Sequence, residues 1–230
     1  MITDIVIPYR FSQVTRDQEL RYALRGVEKH LSNVGDVYLI GDKPKYVTNC
    51  GHIPYKEYNW YTQLTRNIYA KLVAACLHAH VSDPFLYMND DHFLLADFEA
   101  DNIPYYHKGN DWTGKGKYLV TLERTRKIFP ATNNFDTHAP MLIHKKMFLE
   151  AMRMLNWKLD FGYAIKTAYC ASYGIRGQYA PDYKLDRAPT YQDLFDIDQR
   201  MFFSVGDKAM TLQMIFFLES KYPNKSKYEI

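Results

Sequence analysis

Over residues 4–95 short apolar runs alternate with two long amphipathic stretches, and that alternation restricts the chain to few folds. "DIVIPYR" (4–10) reads as a buried first strand interrupted by Pro8. Leu20, Ala23, Leu24, Val27 and Leu31 recur at helical spacing behind Thr15-x-x-Gln18, a capping-box pattern, which predicts a helix over 16–32. "DVYLIGD" (36–42) is a second strand and "CGHIPY" (50–55) a weaker third. Leu64, Ile68, Leu72, Ala75 and Cys76 mark a helix over 62–79, and "PFLYM" (84–88) is a fourth strand. Strands alternating with helices imply parallel pairing with right-handed crossovers. The expected fold class is α/β: a mostly parallel, Rossmann-like sheet flanked by helices. Ligands of such open sheets sit beyond the carboxyl ends of the strands. Arg10, Asp42 and the run Asn89-Asp90-Asp91 all fall at those ends.

The second half is less regular. Residues 103–118, rich in Gly, Lys and aromatics, read as an exposed, mobile loop. "DTHAPMLIHKKMFLEAM" (136–152) gives a short strand and then a helix, and a Tyr-rich irregular region follows over 163–191. "RMFFSVGD" (200–207) is a last strand, and Leu212, Ile215 and Phe216 open a final helix. With no clear linker, the 230 residues read as one domain, 1–95 its nucleotide-binding half and 96–230 its acceptor and active-site half.

A hydrophobic share of 47% is enough for a sizeable core, and a net charge of +3 is too small to claim a nucleic-acid or membrane partner. The 20 Tyr and 13 Phe suit a groove for sugars or bases as well as a core. Three scattered cysteines form no CxxC pair, so neither a zinc site nor a disulfide framework is indicated. The start lacks a basic segment followed by a long apolar one, and no run approaches a membrane span, so a cytoplasmic location is expected. GxGxxG, GxxxxGK[ST] and GxSxG are absent, against dinucleotide oxidoreductases, P-loop enzymes and α/β-hydrolases.

Adjacent carboxylates repel unless a cation offsets them. Asp90 and Asp91, after an apolar strand, can hold Mg²⁺ or Mn²⁺, hard ions that complete their shell with substrate phosphates. His138 and Asp207, each after or within a short apolar run, are candidates for a third ligand or a general base. Among the basic residues near strand ends, Arg21 and Lys71 are the candidates for a diphosphate. As ordinary residues, the aspartates would cap or solvate turns and His138 would be a hydrogen-bonded core histidine.

Several segments together resemble the Stealth family of sugar-phosphate transferases. "ELRYALRGVEKHL" (19–31) followed by "VYLIGDKPKYV" (37–47) is similar to that family's "ELRYSLRSIEKY" helix and the strand after it. "NWYTQLTRNIYAKL" leading into "FLYMNDDHFLL" resembles its helix and "FIYFNDDxFL" strand end. "HAP" (138–140) resembles its "H-x-P" element, and "SVGD" with "ESKYPNKSKYE" (219–229) its closing segment. The resemblance implies a GT-A-like fold, a nucleotide-sugar donor, metal and diphosphate at Asp90 and Asp91, and active-site places for Arg21, His138 and Asp207. The first strand, "DIVIPYR", lacks the acidic residue that the family carries after its own first strand.

The expectation is therefore a GT-A-type glycosyltransferase moving a sugar from a nucleotide sugar, a UDP-sugar first among donors, to an acceptor hydroxyl with Mn²⁺ or Mg²⁺. Asp90, Asp91 and Asp207 would hold the metal, and Asp91, His138 and Asp207 would serve the chemistry. Pro8, Tyr9, Arg10, Arg21, Asp42, Asn67, Lys71 and Asn89 would bind the donor. The 105–118 loop would close over it. The alternatives are sugar 1-phosphate transfer to a polysaccharide, the same chemistry on a modified base of a nucleic acid, and a non-catalytic sugar- or nucleotide-binding module.

Overall fold

The computed structural model describes all residues except 1, 13, 14, 16, 58, 59 and 158–160, and the backbone alone of 60–63. The first half contains β1 (Thr3–Tyr9), α1 (Gln18–His30), β2 (Leu31–Ser32), β3 (Val34–Gly41), β4 (Gly51–Ile53), α2 (Trp60–Leu77), β5 (Phe85–Tyr87) and β6 (His92–Leu94). The second adds β7 (Phe98–Glu99), β8 (Tyr106–His107), α3 (Gly116–Ile128), β9 (Met141–Ile143), α4 (Lys145–Met154), α5 (Ile165–Ser172), β10 (Gln178–Tyr179), β11 (Lys184–Leu185), α6 (Tyr191–Asp198), β12 (Phe202–Val205) and α7 (Leu212–Lys221).

The central sheet runs β4-β3-β1-β5-β9, parallel throughout except for the antiparallel edge strand β9. Its strands are short and apolar because both faces are covered, as parallel sheets require. Ile5, Ile7, Leu39 and Leu86 face Leu20, Leu24 and Val27 of α1 in one buried cluster. Val6, Ile40, Phe85 and Ile143 point the other way, onto Leu72 of α2, Phe148 of α4 and Tyr169 of α5. A second sheet, β11-β12-β6, carries α6 and α7 on a smaller core of Phe93, Phe203, Ile197, Met214 and Leu218. Among the described residues no helix is long and apolar enough to cross a membrane.

From β1 the chain steps outward to β3 and β4, then returns to the opposite side of β1 with β5. The strand order thus reverses between β1 and β5, where open α/β sheets leave a crevice at their carboxyl ends.

Three local expectations differ from what forms. The Thr15–Gln18 pattern does not cap α1: Asp17 is the N-cap, in a left-handed conformation without a side-chain cap, and its carboxylate takes the Tyr9 hydroxyl and the Ser12 N–H. The 103–118 segment is pinned rather than free. Trp112 is buried beside Leu122 and Ala164, and Asn134 donates to the Asp111 carbonyl at 2.7 Å. The irregular-looking 163–191 contains α5, whose Ile165, Ala168 and Tyr169 are buried in the core.

Candidate functional site

The ends of β1 and β3 frame a recess of about 270 Å³ lined by Tyr9, Arg10, Asp42, Tyr55, Glu57 and Lys71. Pro8 lies buried in β1, paired in register with Ile40, and the Asp42 carboxylate accepts the Phe11 N–H at 2.9 Å. Tyr9, Arg10 and Asp42 therefore meet, as their strand-end positions predict. Lys71 joins them but not as a free phosphate ligand. Only 3% exposed, it donates to the Tyr9 carbonyl at 2.7 Å and is paired with the Glu57 carboxylate. Asn67, one turn earlier on α2, is buried. Arg21 is likewise committed away from the strand ends. It meets Glu229 at 2.5 Å with its guanidinium 4.3 Å from the Tyr46 ring, and Arg25 takes the other Glu229 oxygen at 2.7 Å. Both cations expected to bind a diphosphate are thus paired with carboxylates in this structure.

Asn89, Asp90 and Asp91 follow β5 at the reversal of strand order. The Asn89 amide oxygen accepts the Tyr87 hydroxyl at 2.8 Å. Among the described residues no side chain donates a hydrogen bond to Asp90, and burial together with its charged neighbour Asp91 raises its carboxyl to about 7. Asp91 is the opposite case. Burial disfavours its charge, but Lys184, His92, His138 and the Ser204 hydroxyl hold it well below the usual carboxylate range. Its Oδ2 takes Lys184 Nζ at 3.1 Å and Ser204 Oγ at 2.8 Å, while its buried Oδ1 has no hydrogen-bond partner among the described residues. The second sheet produces this arrangement. Lys184 on β11 is in register with Ser204 on β12, which is in register with His92 on β6. One row of three strands so delivers three side chains around one carboxylate.

His92 is fully buried, and burial next to Lys166 keeps it neutral. Its Nδ1 accepts the Asn89 N–H at 3.3 Å, which assigns the proton to Nε2, itself without a partner and 4.0 Å from Asp91 Oδ1. Edge-on to it, with ring centroids 5.9 Å apart, stands His138. The Asp182 carboxylate accepts from His138 Nδ1 at 2.9 Å and from its backbone N–H at 2.8 Å. That anchoring leaves Nε2 as the basic nitrogen, the arrangement a general base requires.

Asn89, His138, Asp182 and Lys184 of this cluster open on a cavity of about 680 Å³, next to which Asp90 and Asp91 follow Asn89 in the chain. Asn89, His138, Asp182 and Lys184 meet Tyr87, Tyr118 and Tyr163 in its wall, and Lys108, Lys115 and Gly114 contribute from the 103–118 segment. Lys166, also lining it, is buried over the Tyr87 ring and donates to the Thr137 and Ala139 carbonyls at 2.6 Å each. Burial lowers its ammonium to about 8 against the pull of Asp136 and Asp182. Rings and fixed charges around a space of this size are what a sugar-sized polar ligand needs.

Asp207 sits at the exposed start of a short 3₁₀ turn, Asp207–Ala209, and bears electrostatically on Glu19. Among the described residues no three His, Cys, Asp or Glu side chains converge as a ligand set, so Asp207 does not join Asp90 and Asp91 at coordination distance. The donor chemistry nonetheless fits a hard cation that takes most of its shell from substrate and water. Among the described residues Asp90 receives no side-chain donor, and Asp91 has one orphaned oxygen.

Sequence reasoning passed over Glu19, Asp182, Lys184, Lys166 and Ser204. Three of these carried a signal. Glu19 stands four residues before Ala23, a carboxylate on the apolar stripe of α1, and is 7% exposed. Asp182, Lys184 and Asp186 alternate in "DYKLD", a strand period that puts all three on one face, and all three line the cavity.

No family model matches the chain, and no curated protein matches it.

Proposed function

We propose that the chain is a metal-dependent glycosyltransferase of GT-A type that moves a sugar from a nucleotide sugar to an acceptor hydroxyl. The observation that carries this reading is the placement of Asp90 and Asp91 at the strand-order reversal, beside a cavity walled by tyrosines and lysines. The recess at Tyr9, Arg10 and Asp42 lies at the ends of β1 and β3, one strand away, a position suited to the nucleoside. Asp90 and Asp91 would hold Mn²⁺ or Mg²⁺, which when bound neutralises charge on a departing diphosphate. His138, oriented by Asp182, takes the proton of the acceptor hydroxyl. Lys108, Lys115 and Gly114 cover the cavity from the 103–118 segment, which excludes water from the donor.

Transfer of a sugar 1-phosphate is the second reading, and one observation favours it. The segments that resemble the Stealth family lie apart in sequence and meet in space. Arg21 and Arg25 of α1 clasp Glu229, Arg21 covers Tyr46, and Val47 bridges to Glu229. The two readings differ in which bond breaks, so product analysis separates them.

The test needs no acceptor. Thermal shifts are measured with nucleoside diphosphates and nucleotide sugars, each with and without Mn²⁺, on the native chain and on Asp91→Ala. A ligand that binds only the folded chain at a hundred times its Kd stabilises it by about 2.7 kcal/mol. The reading expects metal-dependent stabilisation by one nucleotide class and its loss in Asp91→Ala. Absence of any shift across the panel on the native chain overturns it.

A further inference from the structure

A nucleoside diphosphate leaving a sugar gathers negative charge, and transferases place fixed cations where that charge develops. Arg21 and Lys71, the two basic residues that the sequence offered for this task, are held by Glu229 and by Glu57 with the Tyr9 carbonyl. A cation that does touch the aspartate pair is Lys184, with Nζ 3.1 Å from Asp91 Oδ2. Its side chain is 33% exposed and lines the cavity alongside Asn89 and His138. The register Lys184–Ser204–His92 fixes its place across three strands, so it is set by the sheet and not by a surface rotamer.

Among the described residues Asp91 Oδ2 carries two donors, Lys184 and Ser204, while Oδ1 carries none. A lysine and a divalent cation that share one carboxylate compete for it. A diphosphate arriving with the cation offers the ammonium a second anionic partner at the same place, on the cavity side where Lys184 is exposed. We propose that Lys184 is a contact for the donor diphosphate: its ammonium, paired with Asp91 in this structure, passes to a diphosphate oxygen when the donor binds, which leaves Asp91 to the cation. This assignment rests on the glycosyltransferase reading.

The arrangement dictates effects of opposite sign. Removing the ammonium frees Asp91, so the cation alone binds more tightly. The diphosphate loses a charge-assisted hydrogen bond and binds more weakly. A lysine that merely held Asp91 in shape would weaken both together.

The experiment is calorimetric titration of the native chain, Lys184→Met and Lys184→Arg with Mn²⁺ alone. UDP, GDP, ADP and CDP are then titrated at saturating Mn²⁺. Lys184→Met is expected to bind Mn²⁺ more tightly than the native chain and the accepted diphosphate at least about tenfold more weakly, the size of one hydrogen bond to a charged group. Lys184→Arg keeps the charge and is expected to recover most of the diphosphate affinity, and it stands as the folded comparison should the methionine variant lose structure by circular dichroism. If the native chain binds a diphosphate and Lys184→Met binds it equally well, the proposal falls while the glycosyltransferase reading stands. Parallel weakening of Mn²⁺ and diphosphate also overturns it, in favour of a structural role. If no diphosphate binds the native chain, both fall together.

Discussion

At the scale of single residues, the site concentrates carboxyl groups that resist ionisation. Burial and the charges of Asp90, Asp91 and Asp207 raise Glu19 from 4.5 to about 8, and Asp90 is raised to about 7. Between the unfolded and folded values the folded chain binds the extra proton, so stability falls as pH rises through that window. Each group adds a slope of at most about 1.4 kcal/mol per pH unit. Glu229 works in the other direction. Although burial opposes its charge, Arg25 and Arg21 lower it to about 2, so its contribution is lost only as pH falls below about 4.5. Over pH 5–8 Glu229 is therefore constant; up to about pH 6.5 buried, neutral His92 adds stability as pH rises, and above that the raised carboxyls set the trend. Urea midpoints are expected to fall from pH 7 to pH 8 in the native chain and to fall less steeply in Glu19→Gln, which carries no titrating group at that position. Equal slopes in the two proteins would remove Glu19 from the cluster. The sequence announced Asp90 and Asp91 because a doubled aspartate after an apolar run is conspicuous. Asp182 and Lys184 stand more than ninety residues away, and only the β11-β12-β6 register brings them to Asp91 and His138. Such long-range register leaves no local mark beyond a strand period.

At the scale of elements, local chemistry was legible wherever periodicity was long. The helix expected over 16–32 forms over Gln18–His30, and the one expected over 62–79 forms over Trp60–Leu77. Of the short elements, those marked by an apolar run, such as β5 and β12, were legible, whereas α5, α6 and β11 escaped, although α6 carries its own signature. Thr190 and Asp193 close a reciprocal capping box that Arg187 reinforces on the same carboxylate. The end of β3 shows how closely an element can be bound to the site. Gly41 has φ +124, and a Cβ there would lie 2.2 Å from the Tyr9 carbonyl and 2.9 Å from Lys71 Nζ. Backbone cannot yield as a side chain does, so Gly41→Ala must part β1 from β3 or displace Lys71 from that carbonyl. The expected cost is about 1–3 kcal/mol from the strained dihedral alone, with a further penalty as Lys71 loses a partner. Chemical unfolding measures the sum. A variant of native stability would mean that the β1–β3 ends yield without cost, and that the recess they frame is not built to fixed dimensions.

At the scale of the whole molecule, residues 1–95 and 96–230 share one central sheet. The alternation over 1–95 correctly implied a mostly parallel sheet, and four of its five strands come from there. The fifth, β9, comes from residues 141–143 and covers the outer edge of β5. On the face formed by Val6, Ile40 and Phe85, much of the cover is Phe148 and Tyr169, again from the second half. β6 finds its partner only in β12. A chain cut after residue 95 would leave β5 with unpaired N–H and C=O groups on one side and β6 with no strand beside it. One sheet face would also keep only α2 as cover, a combination that apolar burial from α1 and α2 does not offset. The fragment 1–95 is therefore expected to show no cooperative thermal transition by circular dichroism, whereas the full chain melts in one step. A reversible sigmoidal melt of the fragment would establish the first half as an autonomous unit. The same dependence holds at the site. Asp91 belongs to the first half, but the Ser204 hydroxyl and Lys184 ammonium that fix its carboxylate come from β12 and β11, so a folded first half alone would carry an aspartate pair without the groups that orient it.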